Sequence, residues 1–461
     1  MSVEYACIMP HPPLIVPAVG RGEERGIAAT TAAMEYVSRQ IAAVKPDTIV
    51  LASPHSVMYA DYIHISPGAS ARGSFARFGA PQVSVEKEFD TELVEAIADL
   101  AFEEDLRAGT LGEKDASLDH GTLVPLYFIE QQIKDYKLVR VSLSGQPLIM
   151  HYRFGQLVAR AAKRLGRRIV FVASGDLSHR LKADGPYGYA PEGPEFDKRV
   201  TDAMKTGDFM AFLRMGESFC EAAGECGLRS FIEMAGALDG RAVTPDFRSY
   251  EGPFGVGYAV CGYIVGGPDE NRRFGQVYEE ERTAELATIK SGEDAYVKLA
   301  RLSLETYVKT GKKAAMPDDL PEEMTTRRAG VFVSLKKDGR LRGCIGTISP
   351  TTVSIAEENM NNAISAGTAD PRFEPVKEEE LPHLVYSVDV LSEPEPISSM
   401  DELDPKRYGI IVSKGYRRGL LLPNLEGVDT VRQQVDIALQ KAGIRPDESY
   451  SMERFEVVRH K

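Results

Sequence analysis

Short apolar runs alternate along the first half of the chain with longer stretches whose apolar positions recur every three or four residues. The runs at 4–10 (EYACIMP), 47–56 (DTIVLASPHS), 137–144 (KLVRVSLS), 168–179 (RIVFVASGDLSH) and 258–266 (YAVCGYIVG) predict strands. Between them, 26–44, 91–101 and 152–165 predict helices. Strands alternating with helices predict an α/β domain with a mainly parallel sheet flanked by helices.

The pattern changes after Gly267. Residues 268–284 are polar and charged and read as a linker, which divides the chain into domains at 1–267 and 285–461. A length of 461 residues already exceeds what one ordinary core serves. The second part opens on a helical stretch, DAYVKLARLSLETYVKTG, from Asp294. Strand patterns follow in GVFVSLKKDGRLRGCIGTI and LVYSVDVLS, and helical ones at 352–366 and 429–442. Asp338-Gly339 between two apolar runs signals a hairpin. This part reads as an α+β domain.

Charge narrows the partners. Lys and Arg number 55 against 68 Asp and Glu, a net charge of −13. That argues against broad binding to a nucleic-acid backbone, while leaving room for a small anion in a local basic pocket. No apolar run reaches the length of a membrane span, and MSVEYACIMPHPP lacks the build of a signal peptide. The five cysteines are scattered, with no C-x-x-C pair, which points to reduced thiols and a cytoplasmic location. The sequence sets no oligomeric state.

Six of the eight histidines precede residue 180. His11 (MPHPP), His55 (SPHS) and His179 (SGDLSH) each follow a predicted strand, and His120 (LDHG) precedes a helix. In a parallel sheet the carboxyl ends of the strands open onto one edge, where ligands of open α/β folds bind. A lone histidine at a strand end is more often structural; several at one edge carry more weight. Two imidazoles and a carboxylate with open positions form the facial arrangement of non-haem Fe(II) oxygenases. His11 and His55 are thus the first-choice metal ligands, and His120 and His179 the proton-transfer candidates. The third ligand stays open between adjacent residues. Glu225 suits Fe(II), whereas a Cys226 thiolate is softer and admits zinc or copper. His64 and His151 read as surface or core residues. Asp176 reads as a residue that sets its loop or orients a neighbour. In the second part, Cys344 in RGCIG reads as a small filler more readily than as a reactive thiol, and Asp370 and Arg372 as a turn locked by an ion pair.

On the motifs around His11, His55, His120 and His179, residues 4–266 resemble the class III extradiol dioxygenases. The resemblance implies Fe(II) held by two histidines and a glutamate, here His11, His55 and Glu225. It also implies that His120 and His179 serve as acid and base while O2 opens the ring of a small aromatic substrate, catechol-like or aminophenol-like. The same segment resembles the Memo-like proteins, whose third metal position is a cysteine before glycine, here Cys226-Gly227. Residues 285–461 resemble the protein A component of the AmmeMemoRadiSam system through LRGCIGT, AGTADPRFEPV, LPHLVYSVDVLSEPEPI and RRGLLLPNLEGV. That system's composition implies a radical SAM enzyme as partner. It also implies a second reading, a metal-binding accessory protein without dioxygenase turnover.

Overall fold

Six strands form the main sheet of the first half: β1 (Val3–Met9), β2 (Thr48–Ser53), β3 (Lys137–Ser142), β4 (Ile169–Ser174), β5 (Arg241–Glu251) and β6 (Tyr258–Pro268). Their order is β3-β2-β4-β1-β6-β5. The first four pair in parallel, and β6 runs antiparallel to both β1 and β5. The computed structural model describes residues 2–114, 117–425 and 427–461.

Every residue of β2 and β4 is buried, as expected of strands covered on both faces. Alternation sends their side chains into two cores. Val50 and Ala52 join one, beneath α2 (Thr91–Glu103), α4 (Leu148–Leu165) and α5 (Leu228–Ala237). Ile49 and Leu51 join the other, beneath α1 (Ala28–Val44) and α3 (His120–Ile129). Local signals set the helix starts: Asp90 accepts from Leu93 N–H to cap α2, and Asp119 accepts from Thr122 N–H to cap α3.

The expectation of a mainly parallel sheet holds for four of the six strands. The correction lies at one edge, where β5 and β6 form a long antiparallel pair. The sequence gives little sign of β5, because RAVTPDFRSYE lies half-exposed at the sheet edge and contains a proline, which an edge strand tolerates. The 268–284 stretch holds a short 3-10 turn (Glu270–Arg272) and then enters α6 (Phe274–Gly292). Only Gly275 of that helix is buried, so its sequence is polar like a linker's. The chain divides into two units within this helix, Met1–Glu281 and Arg282–Lys461.

The second unit is built on a sheet of seven strands: β7 (Val331–Lys337), β8 (Arg340–Gly346), β9 (Leu384–Leu391), β10 (Glu395–Ile397), β11 (Tyr408–Lys414), β12 (Arg417–Leu421) and β13 (Ser451–His460). Neighbours pair antiparallel throughout, in the order β8-β7-β9-β13-β11-β12 with β10 against β13. Asp338 and Gly339 both take positive φ and close the β7–β8 hairpin. Helices α7 (Ala295–Thr310) and α8 (Ile355–Thr368) supply one core with β7 and β9. Helix α9 (Val431–Ala442) supplies another with β11 and β12. Arg372 grips the Asp370 carboxylate through Nε at 2.9 Å and a terminal nitrogen at 2.7 Å. This pairing holds the Asp370 carboxyl well below the usual carboxylate range. Asp370 also accepts from the backbone N–H groups of Arg372 and of Cys344, whose half-buried thiol accepts from Ser334 Oγ. No helix among the described residues is long and apolar enough to cross a membrane.

Candidate metal centre

The carboxyl ends of the parallel strands deliver the candidates to one place. His11 follows β1 and is buried. Its backbone N–H donates to Asp176 Oδ1 at 2.8 Å. Its Nδ1 lies 3.0 Å from Ser174 Oγ, and that hydroxyl donates its only proton to the carbonyl of Gly121 at 2.6 Å. Ser174 Oγ is therefore left to accept, so Nδ1 carries the His11 proton and Nε2 presents its lone pair. Burial, and then the neighbouring histidines, push the His11 pKa well down. The ring is a neutral donor, the form a metal requires.

His55 follows β2, and its Nε2 lies 3.0 Å from Nε2 of His11. Two nitrogens about 2.0–2.1 Å from a shared ion lie about 2.9–3.4 Å apart for angles between square and tetrahedral. Cys226 completes the set, with Sγ 3.7 Å from His11 Nε2. Among the described residues, donor atoms of His11, His55 and Cys226 lie within 4.8 Å of one another. Burial holds the Cys226 thiol far above its usual range, which favours the protonated form unless a cation compensates.

The neighbouring Glu225 is differently employed. Its carboxylate accepts from Leu228 N–H at 2.7 Å, at the start of α5. Of the two adjacent candidates for third ligand, the geometry brings Cys226 to the histidines and gives Glu225 a capping bond.

His120 is the first residue of α3. Its ring stacks on His55 with centroids 4.0 Å apart and meets His11 edge-on at 5.5 Å. Asp119 fixes it there, taking bonds from the Thr122 N–H and hydroxyl and from Ser53 Oγ at the end of β2. Burial and the charge of His55 lower the His120 pKa to about 4. His179 sits at the close of the β4 loop, where its backbone N–H donates to Gly224 O at 3.1 Å. Burial lowers its pKa to about 4 as well. Its Nε2 is buried without a hydrogen-bond partner among the described residues. Both rings are neutral near pH 7 and able to accept a proton.

Two residues add what histidine counting overlooks. Ser174 sets the His11 tautomer; only its place at the end of β4 could have signalled it. Asp176 binds the His11 backbone, and its second oxygen lies 3.8 Å from His11 Nε2. Burial lifts its carboxyl to about 7. The other early histidines stand apart. His151 Nε2 accepts from Ser144 N–H at 3.1 Å, and buried His64 lies near Arg140 and Glu113.

A close backbone approach places Cys226. A Cβ on Gly175 would lie 2.2 Å from Gly227 Cα, and one on Gly227 would lie 2.4 Å from the Phe231 ring and 2.8 Å from Asp176 O. Only glycines let the loop after β4 and the turn before α5 touch. Gly175→Ala is expected to cost about 1–3 kcal/mol through overpacking and to loosen metal retention by displacing Cys226. Urea denaturation and metal analysis of the same preparation check both.

Residues 5–261 match the family described as the catalytic LigB subunit of aromatic ring-opening dioxygenase, and this chain belongs to that family. Residues 297–460 match the AMMECR1 family. Protein CA_C1420 of Clostridium acetobutylicum is 46% identical over the full length of both chains. A Thermotoga maritima protein is 54% identical over 172 residues, covering 37% of this chain and 99% of its own. Among solved structures, the uncharacterized protein PH0010 of Pyrococcus horikoshii is 36% identical, covers 36% of this chain and 88% of its own, and has a TM-score of 0.34. The resemblances read from the sequence to a dioxygenase-like first half and a protein A-like second half thus hold at the level of family.

Proposed function

We propose that the first unit is a metal-dependent, ring-opening dioxygenase acting on a catechol-like or aminophenol-like substrate. The observation that carries the reading is the grouping of His11, His55 and Cys226 at the sheet edge with His120 and His179 beside them. The donor set fits a divalent transition metal: two neutral imidazoles and a thiol that burial alone would keep protonated. Iron(II) is the metal of this reading, and when bound it would bring substrate and O2 together at open positions and polarise both.

The rest falls to the chain's own groups. His11, locked by Ser174, points a lone pair at the centre. His179, neutral and with its Nε2 unpartnered among the described residues, takes the proton of a substrate hydroxyl. His120, also neutral at first, accepts the second proton that the substrate gives up on chelating and returns it to the oxygen released as the ring opens. The stacked ring of His55 and the Asp119 cap hold His120 in place for that transfer.

Cys226 favours a second reading. A thiolate in the carboxylate's place makes the set softer than the facial arrangement of the Fe(II) oxygenases and better suited to zinc or copper. On this reading the chain is a metal-binding accessory protein of a radical SAM system, with the AMMECR1-like unit as its other half. Anaerobic metal analysis, followed by O2 uptake with a panel of catechols and aminophenols, separates the two. Stoichiometric iron with substrate-dependent uptake supports the dioxygenase. Bound zinc or copper, with no uptake after iron reconstitution, moves the assignment to the accessory protein.

A further inference from the structure

The stretch 177–180, which carries His179, is bonded at each residue. Leu177 N–H donates to Gly257 O at 2.8 Å, and Gly257 N–H returns a bond to Ser178 O at 2.8 Å. His179 N–H donates to Gly224 O at 3.1 Å. Ser178 Oγ donates to Ala223 O at 2.7 Å and accepts from Arg180 N–H at 2.9 Å. Ala223 and Gly224 lie just ahead of Cys226, so the candidate base and the candidate ligand share one scaffold. The last anchor is an acidic side chain: Ser178 N–H donates to Asp197 Oδ1 at 2.8 Å.

Asp197 belongs to the helix Glu192–Thr206 and is 1% exposed. Its other oxygen accepts from the Tyr250 hydroxyl, on β5, at 2.7 Å. Gly257 clears the space for it, because a Cβ there would lie 2.1 Å from Asp197 Oδ2. Burial pushes the carboxyl up to about 7, against the pull of the bonds from Ser178 and Tyr250. A buried carboxyl is a poor way to fill a core, since an apolar side chain of similar size packs there without losing hydration. What it supplies at this place is a directed acceptor for the residue before His179. Its action is mechanical: burial and the charge of His55 account for the lowered His179 pKa. Position matters as much as basicity, because a base works only within hydrogen-bond reach of its proton.

We infer that Asp197 is a positioning residue for the candidate base: by holding Ser178 N–H it fixes where the His179 ring stands beside the metal centre. The inference rests on the reading of His179 as the base and adds a residue, distant in sequence and outside the centre, on which that role depends.

The test uses the full chain loaded with Zn(II) and follows the histidine ring signals by NMR. The His179 ring lies against Tyr187, with centroids 5.0 Å apart, so the ring current of Tyr187 makes its signals sensitive to where it stands. His179→Gln identifies those signals by their loss. Asp197→Ala is expected to move the His179 signals while the zinc content and the signals of His11 and His55 stay as in the wild type. Asp197→Asn keeps an acceptor for Ser178 N–H and is expected to restore the wild-type positions. If Asp197→Ala does not fold, Asp197→Thr fills more of the space and still withdraws the acceptor from Ser178. His179 signals that stay in place in the folded variant overturn the inference. So does an Asn variant that moves them as far as Ala, or a displacement shared by His11 and His55. Where the wild type turns over a catechol, Asp197→Ala is expected to lower kcat about 100-fold at unchanged KM, the scale of a base misplaced by an ångström, and Asp197→Asn to recover it. A wild type without turnover counts against the dioxygenase reading alone, and the NMR comparison still decides the role of Asp197.

Discussion

His11→Ala is expected to empty the metal centre and abolish turnover while leaving the fold intact. Its Nε2 is the atom that both other donors face, at 3.0 Å from His55 Nε2 and 3.7 Å from Cys226 Sγ. Loss of a partner one step removed from a metal already costs about 10–100-fold in affinity, so loss of this ligand should exceed that. Measuring metal per chain after dialysis decides the point. A variant that keeps stoichiometric metal would place the ion elsewhere and remove the basis of the proposed function. The change also frees Ser174 Oγ and leaves a buried space, so a drop in unfolding temperature accompanies it. The milder Ser174→Ala keeps the ligand and withdraws the bond that fixes its tautomer, together with the bond from Ser174 Oγ to Gly121 O.

The second expectation is the opposite pattern. His179→Ala should keep its metal and lose turnover by roughly 100- to 10,000-fold, the range general acid–base groups supply. His179 is outside the donor cluster, yet close enough for its charge to act on His11. Its neutral ring, with an Nε2 that has no hydrogen-bond partner among the described residues, suits a base that waits for a proton. Metal content and kcat, measured on one preparation, give the answer. Full activity in this variant would sink the assignment of His179 as base, whatever the fate of the metal.

The contrast between Glu225 and Cys226 shows where reading residues in order runs out. Adjacent side chains on a turn point in different directions, and composition does not say which faces the centre. The bond from Leu228 N–H to Glu225 settles one direction, and the contact between Gly175 and Gly227 settles the other. The edge strand β5 was similarly hidden, since a half-exposed strand needs no apolar run. The strand at 70–75 was hidden for the same reason: SARGSF buries only Ala71 and Phe75 and has no apolar run.

What the sequence determined by itself was local in origin. Unbroken apolar runs made the buried strands, Asp119 and Asp90 capped their helices, Asp338-Gly339 made its hairpin, and histidines stood where strands ended. These depend on neighbours a few residues away and on the rule that parallel strands end along one edge. Only the tertiary structure decided which donors meet and which nitrogen of His11 carries the proton. Those facts rest on contacts between residues separated by many tens of positions, such as the close approach of Gly175 to Gly227 that presents the cysteine rather than the glutamate beside it.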